Sequence, residues 1–213
     1  MARVLYALFV VLALGYLAWP YASLYGLYAD LKAADAEAVR ARVHWPAVRA
    51  DLKNDLDRFA KAAVNKALAR VGKKAGGAKI SLSWNALPLS DQIAGVFATP
   101  KGLIVLFQNP GAFRCVLNAI RDGAAEAVAA CLRRQQETPL KKTDASGLQG
   151  PNVKRLFEKI DYAFFTGPFS FRLKVRHEDI PVTLDFSRRA QGWILVRATL
   201  SLEAVLAGDK PRS

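Results

Sequence analysis

The segment Phe169 to Arg176 reads FSFRLKVR and alternates strictly between apolar and polar residues. Such alternation puts successive side chains on opposite faces of a β-strand, so one face is apolar and the other is basic. If residues 177–180 form a hairpin loop, Arg172 meets Asp185 on the next strand, which is a favourable pair of opposite charges. The same register pairs Val175 with Val182, Leu173 with Leu184 and Phe171 with Phe186. The stretch therefore predicts a β-hairpin with one buried face.

Two flanking segments extend this hairpin into a sheet. Residues 165–168 are expected to form an earlier turn and residues 188–192 a later one. In that register Ile160, Tyr162 and Phe164 lie opposite Leu173, Phe171 and Phe169, while Ile194 and Val196 lie opposite Phe186 and Leu184. The sequence thus predicts an α+β fold, in which the preceding helices cover the apolar face of a four-stranded antiparallel meander.

The region before the meander has helical periodicity. Asp35 is expected to cap a short helix, and Pro46 suits the first turn of the clearest amphipathic helix, which ends at Gly72. The apolar positions of that helix recur at steps of three and four: Val48, Leu52, Leu56, Phe59, Ala63, Ala67 and Val71. One short helix is predicted to begin at Ser90, and a second to run from Thr99 to Phe107.

The remaining segments carry weaker patterns. Ile80 to Trp84 is predicted as a short strand, and residues 112–132 as one helix. Residues 135–152 are rich in polar residues, glycine and proline, and they predict an exposed connector.

The N-terminus carries 26 residues without a charge, from Val4 to Ala29. As a helix, Val4 to Trp19 covers about 24 Å, and continuing the helix to Tyr28 reaches the roughly 30 Å of a bilayer core. The aromatic residues Tyr16, Trp19, Tyr21, Tyr25 and Tyr28 cluster at the far end, where an interfacial belt is expected. Residues 1–29 therefore predict a membrane anchor.

Arg3 is the only charge before this span, and it favours a cytoplasmic N-terminus with residues 30–213 delivered to the other side. A cleaved secretory signal and a buried core helix are the alternatives. The leading prediction is a single-pass protein of the cell inner membrane, with one exported α+β domain in the periplasm or another extracytoplasmic space.

The formal net charge is +13, so an exported domain would attract anionic partners. We expect the membrane itself through residues 4–28, and then anionic lipid, an envelope polymer or an envelope protein. The phenylalanines alternate onto the buried face instead of standing exposed among the charges, so nucleic acid is ranked below these partners. The candidate contact residues for an anionic partner are Lys66, Arg70, Lys73, Arg172, Lys174 and Arg176.

Cys115 and Cys131 would lie about 24 Å apart and on different faces if residues 112–132 form one helix. A disulfide would require that helix to break at Asp122-Gly123. We expect Cys131 in the core, Cys115 outside it, and both reduced.

Several short motifs carry a resemblance to a known family. They are Tyr25-Gly26-Leu27-Tyr28, Ala33-Ala34-Asp35-Ala36, Val43 to Arg49 with Leu52, Thr99 to Leu103 and Gly192 to Val196. In these segments the chain resembles DUF2939, a bacterial family of unknown function. His44 departs from the acidic residue usual in the family, and Leu200-Ser201 stands where Leu-Pro is common. The resemblance implies a membrane-anchored or exported protein and supplies no activity. The order of helices and sheet is also similar to nuclear-transport-factor-two-like and cystatin-like domains.

No pattern typical of catalysis emerges. His44 adjoins a helix start and His177 a predicted turn, and both positions suit structural roles. The glycine-rich segment 72–77 lacks the ending of a phosphate loop. We therefore predict no catalytic residue, cofactor or metal site, and lean toward a non-enzymatic binding protein.

The alternative is a small-ligand carrier or hydrolase with a pocket between the helices and the meander. His44, Trp45 and Tyr162 are its first candidate residues.

Overall fold

The computed structural model describes residues 2–72, 86–109, 111–141, 160–177, 180–190 and 192–202. Its helices are α1 Ala2–Ala33, α2 Ala36–Ala41, α3 Trp45–Gly72, α4 Ala86–Phe97, α5 Pro100–Gln108, α6 Gly111–Arg121 and α7 Ala125–Glu137. Its strands are β1 Ile160–Gly167, β2 Ser170–His177, β3 Ile180–Arg189 and β4 Gly192–Leu200. The strands form one antiparallel sheet in the order β1-β2-β3-β4. The predicted α+β fold with a four-stranded meander is confirmed.

The central hairpin has the predicted register. Leu173 lies opposite Leu184, Phe171 opposite Phe186 and Arg172 opposite Asp185. The guanidinium of Arg172 donates two hydrogen bonds to the Asp185 carboxylate, from Nε to Oδ1 over 2.6 Å and from Nη2 to Oδ2 over 3.1 Å. Alternation and one charge pair were sufficient to place these two strands.

The predicted registers of the two outer hairpins are wrong. Strand β1 continues to Gly167, so Phe165 lies opposite Phe171, and Phe164 lies opposite Arg172 on the outer face. Strand β4 already begins at Gly192, and Leu195 lies opposite Phe186. Each of these ladders contains a register shift, which changes the pairing that strict alternation would give.

Two helix starts, at Asp35 and Thr99, follow the predicted caps, and a third does not. Oδ1 of Asp35 accepts hydrogen bonds from the backbone N–H groups of Glu37 and Ala38, over 3.1 and 3.0 Å. The hydroxyl of Thr99 accepts from Gly102 N–H at the start of α5. Helix α4 begins at Ala86, earlier than predicted, with Pro88 in its first turn and Ser90 buried within it.

Residues 112–132 form two helices, α6 and α7, and not the predicted one. The chain turns at Gly123, whose φ of 75° is a conformation that glycine adopts readily and that commonly ends a helix. Because α7 folds back on α6, Cys115 and Cys131 come to a Cα–Cα distance of 6.0 Å and form a disulfide. The prediction of two reduced thiols is therefore wrong.

Helix α7 also shortens the predicted connector, since residues 135–137 are helical and Gln135 is buried. Residues 142–152, the rest of that connector, lie outside the described residues, as does the predicted strand Ile80 to Trp84.

The helices build two adjoining cores. One joins α3, α4, α6 and α7 around Leu56, Phe59, Ile93, Val116, Leu117 and Val128. The other packs α1, α2 and α5 on the sheet through Leu27, Leu31, Val39, Ile104, Phe171, Leu173 and Leu195. The apolar face of the sheet is thus covered by helices, as the sequence predicts.

Helix α1 has two differently packed halves. Before Tyr16 its apolar side chains are largely exposed, with 72 % of Val4 and 69 % of Phe9 accessible. From Tyr16 onward the helix contacts the sheet, and Leu27 and Leu31 are buried there. The length of the helix and the mean hydropathy of 1.8 over its most apolar 18 residues fit a membrane anchor or a signal sequence.

Candidate functional site

An apolar cavity of about 260 Å³ lies between the helices and the sheet. Helices α3, α5 and α6 form one side, and strands β2, β3 and β4 form the other. The lining residues include Trp45, Leu103, Phe107, Phe113, Val182, Leu184 and Ala198. It is the kind of concavity that the pocket alternative requires.

The lining of the cavity determines what it can bind. Among the described residues that line it, Arg114 alone carries a charge, and its side chain is exposed. Trp45 is the other lining side chain with a strong donor, and its indole Nε1 already donates to the backbone carbonyl of Arg40 over 3.1 Å. The described wall thus offers apolar contact area and one cation, a combination suited to an aliphatic chain with an anionic end.

The same lining contains no carboxylate, histidine or thiol among its described members. General acid–base or nucleophilic catalysis needs such a group within hydrogen-bonding reach of the reacting atom. The described part of this wall therefore supplies apolar contact area and no group of that kind.

Of the three residues predicted for a pocket, the structure places only Trp45 at the cavity. His44 has an exposed side chain, and its backbone N–H donates to the Leu195 carbonyl over 2.8 Å. Its own carbonyl accepts from Val48 N–H at the start of α3. Tyr162 lies on the outer face of the sheet, where its ring is 4.9 Å from that of Phe164. His44 therefore contributes structure through its backbone, and Tyr162 belongs to another surface.

Two of the basic candidates on β2, Arg172 and Lys174, already have partners within the sheet. The hydrogen bond and charge of Asp185 raise the pKa of Arg172, so the guanidinium stays charged in its ion pair. The Nζ of Lys174 lies 5.8 Å from the centroid of the Tyr162 ring, within the range of a cation–π contact. An anion binding here would have to compete with both contacts.

Of the other four basic candidates, the structure describes the side chain of Lys66 alone. Lys66 is exposed on α3, a helix that packs against the opposite, apolar side of the sheet. Arg70 and Arg176 are described by their backbone alone, and Lys73 lies outside the described residues.

Sequence reasoning missed the part played by Asp51 and Asp55 on α3. Asp55 is 4 % exposed, its Oδ2 accepts from Leu200 N–H over 2.7 Å, and its other oxygen pairs with Arg58. Asp51 accepts from the backbone of Ala198 and lies 3.6 Å from Arg197. The four-residue spacing that puts both carboxylates on one helix face was visible in the sequence, but their partners are about 145 positions away.

Burial raises the pKa of Asp51 above its usual 3.8, and neighbouring Asp55 raises it further, while Arg197 acts in the opposite direction. One carboxylate oxygen, Oδ2, is buried and accepts no hydrogen bond within the described structure. The two aspartates satisfy N–H groups on the free edge of β4, which is a structural use of acidic residues.

The family model described as "Protein of unknown function (DUF2939)" matches residues 9–106. This segment belongs to the DUF2939 family. No curated protein and no solved structure matches the chain significantly. The likeness to nuclear-transport-factor-two-like and cystatin-like domains therefore stays a prediction.

The DUF2939 segment begins within α1 and continues through α4 and most of α5, and it supplies the Trp45, Leu52 and Leu103 side of the cavity. Two of its motifs have a physical explanation. Gly26 leaves room for the guanidinium of Arg42, which pairs with Asp30. Gly102 packs against the backbone of Phe97 so closely that no side chain fits. The sheet lies beyond the matched residues.

Proposed function

We propose that this protein is a non-enzymatic domain, tethered to the bacterial inner membrane by α1, that binds an apolar chain in the cavity facing the periplasm. The main support for this function is the cavity of about 260 Å³, whose described lining is apolar except for Arg114.

Two observations support the location. Helix α1 is long and apolar enough to cross a bilayer, and the single charge at its start favours a cytoplasmic N-terminus. The Cys115–Cys131 disulfide suits an oxidising compartment such as the periplasm, because cytosolic thiols are kept reduced.

The size and charge of the cavity limit the class of ligand that it can bind. Ligand sites typically enclose about 300–1,000 Å³, so this one suits a single aliphatic chain better than a bulky ring system. Each buried methylene contributes about 0.8 kcal/mol, so a chain of moderate length supplies most of a micromolar affinity. The cation of Arg114 favours a carboxylate or phosphate head group.

The test is binding of a fluorescent fatty acid to the purified full-length protein, and its displacement by unlabelled fatty acids. Val182→Phe fills the cavity and is expected to weaken binding at least tenfold. Thr183→Phe adds the same ring one residue later, on the other face of β3, and is expected to bind like the wild type. Equal affinity of both variants, with unchanged circular dichroism and melting temperature, would contradict the proposal.

A second candidate function is binding of an anionic envelope component, lipid or polymer, or an envelope protein, through the basic surface. The net charge of +13 favours it, and Lys174 and Arg172 provide cations on the outer face of the sheet. It predicts that binding to phosphatidylglycerol vesicles weakens between low and high salt. Lys174→Gln should weaken it more than Lys61→Gln on α3, and salt-independent binding would rule it out.

A further inference from the structure

One end of the sheet gathers two turns beside helix α1. In an antiparallel meander the β1–β2 and β3–β4 connections lie at the same end. Here they touch, because the backbone N–H of Arg188 donates to the carbonyl of Phe169 over 3.0 Å. Helix α1 passes this end, where the hydroxyl of Tyr16 donates to the carbonyl of Pro168 and its ring stacks on Phe165 at 6.0 Å.

The side chains that project here combine aromatic and cationic character. The guanidinium of Arg188 lies 4.6 Å from the ring centroid of Trp19 and 5.5 Å from that of Tyr16. Phe169 is 61 % exposed at the tip of the β1–β2 turn, and Arg189 is exposed in the neighbouring strand end. Exposed aromatic rings beside arginines are the composition found where proteins meet the headgroup layer of a bilayer.

The length of α1 outside the domain brings the bilayer to this end. Residues 2–15 precede the first contact with the sheet, and they form a helix of about 21 Å, shorter than the roughly 30 Å of a hydrocarbon core. A spanning α1 must therefore place Tyr16 and Trp19 within the membrane or its interface, which draws the adjoining sheet end with them.

We propose that Trp19, Phe169, Arg188 and Arg189 form a membrane rim, which rests in the headgroup layer of the bilayer that holds α1. Phe169 enters the boundary between headgroups and acyl chains, and the two arginines face the phosphates of anionic lipids. The inference rests on the tether in the proposed function and is independent of the ligand cavity. It fixes the domain with the rim end of its sheet against the membrane.

The rim can be tested by depth measurements on the full-length protein in nanodiscs that contain phosphatidylglycerol. Phe169→Cys carries a fluorescent label, since the two native cysteines are bonded to each other. Ser201→Cys is the matched control at the opposite end of β4, about 30 Å away. Phe9→Cys reports whether α1 is embedded. Lipids with nitroxide groups at shallow depth should quench the label at position 169 and leave the label at position 201 unquenched.

The outcomes separate the rim from the tether. Quenching at position 9 without quenching at position 169 overturns the rim and leaves the tether standing. Absence of quenching at both positions overturns both. Quenching at position 201 as strong as at position 169 also overturns the rim, because the domain would then lie in no fixed orientation.

The charge contribution is measured separately in the Phe169→Cys background. Arg189→Gln should shift the equilibrium between contact and release on the order of fivefold in phosphatidylglycerol, and much less in phosphatidylcholine. Lys61→Gln on α3 should change neither. An equal effect of Arg189→Gln in the two lipids would show that the rim does not recognise anionic headgroups.

Discussion

Oδ2 of Asp55 in α3 accepts a hydrogen bond from the backbone N–H of Leu200 in β4 over 2.7 Å, across 145 positions in the chain. This carboxylate satisfies a donor on an edge strand that has no further strand beside it in the described sheet. Nearby, residues 42–44 form two more backbone hydrogen bonds with Leu195 on the same edge. The edge is thereby closed by elements that precede the sheet.

Asp55→Ala should lower the free energy of unfolding by about 1–3 kcal/mol, because it leaves a buried N–H without an acceptor. Asn54→Ala changes the adjacent exposed position of the same helix and should alter stability by less than about 0.5 kcal/mol. Urea denaturation followed by circular dichroism measures both. Similar losses for the two variants would show that the edge contact is not the cause, since alanine raises helix propensity at both positions.

Asp51 predicts a pH dependence of stability. Its pKa is raised in the folded state above 3.8, so the folded protein holds this proton more tightly than the unfolded chain does. The resulting stabilisation is fully present below about pH 3.8 and is lost as pH rises through the folded pKa. The free energy of unfolding of the wild type minus that of Asp51→Asn should therefore decrease as pH rises from about 3.8 through the folded pKa of Asp51.

Chemical denaturation of both proteins over a series of pH values measures this difference, which removes the effect of the other carboxylates. A difference that grows as pH rises would mean that Arg197, 3.6 Å away, outweighs the burial of Asp51.

Gly102 and Gly95 form a matched pair of glycine positions. A Cβ at Gly102 would overlap the carbonyl oxygen of Val96 and lie 2.9 Å from Cα of Phe97, whereas nothing lies within 4 Å of a Cβ at Gly95. Gly102→Ala should destabilise by about 1–3 kcal/mol or more, because the backbone of α4 must move. Gly95→Ala, inside α4, should stabilise by about 0.5–1 kcal/mol.

Thermal unfolding decides between these signs. Two destabilised variants would contradict the open space at Gly95, and two stabilised variants would contradict the close approach at Gly102.

The Cys115–Cys131 disulfide spans 16 positions and holds α6 against α7. Replacing both cysteines by serine should lower the free energy of unfolding by about 3 kcal/mol, chiefly by releasing a constraint on the unfolded chain. Wild-type protein with a reductant should match the double variant. If the reductant has no effect on the wild type, the bond is absent from the purified protein.

The central hairpin could be read from the sequence because alternation and the Arg172–Asp185 pair both specify the same register. The registers of the outer hairpins could not be read in this way. Their turns and register shifts leave no mark on the alternation of polar and apolar residues. Phe164 and Phe165 are both aromatic, for example, and only the course of β1 determines which one faces inward. Similarly, periodicity continues through Gly123 even though the helix stops there.

From the sequence, a cavity could be predicted only in general terms, because folds with helices packed on a sheet often have one. Its walls join residues as distant in sequence as Trp45 and Leu200, and the space between them depends on how far the helices stand from the sheet. Trp45 was identifiable as an aromatic residue at a helix start. Val182 and Ala198 had no distinguishing pattern beyond that of ordinary strand residues.

Three of the six strand residues that line the cavity, Val175, Val182 and Leu200, lie near the ends of their strands that are remote from Phe169. If the end of the sheet that carries Phe169 faces the membrane, a molecule taken directly from the adjacent leaflet would have to move along most of the sheet to reach these three residues. Loading and unloading would then involve a soluble donor or acceptor in the periplasm, and helix α1 would serve only to hold the domain at the membrane.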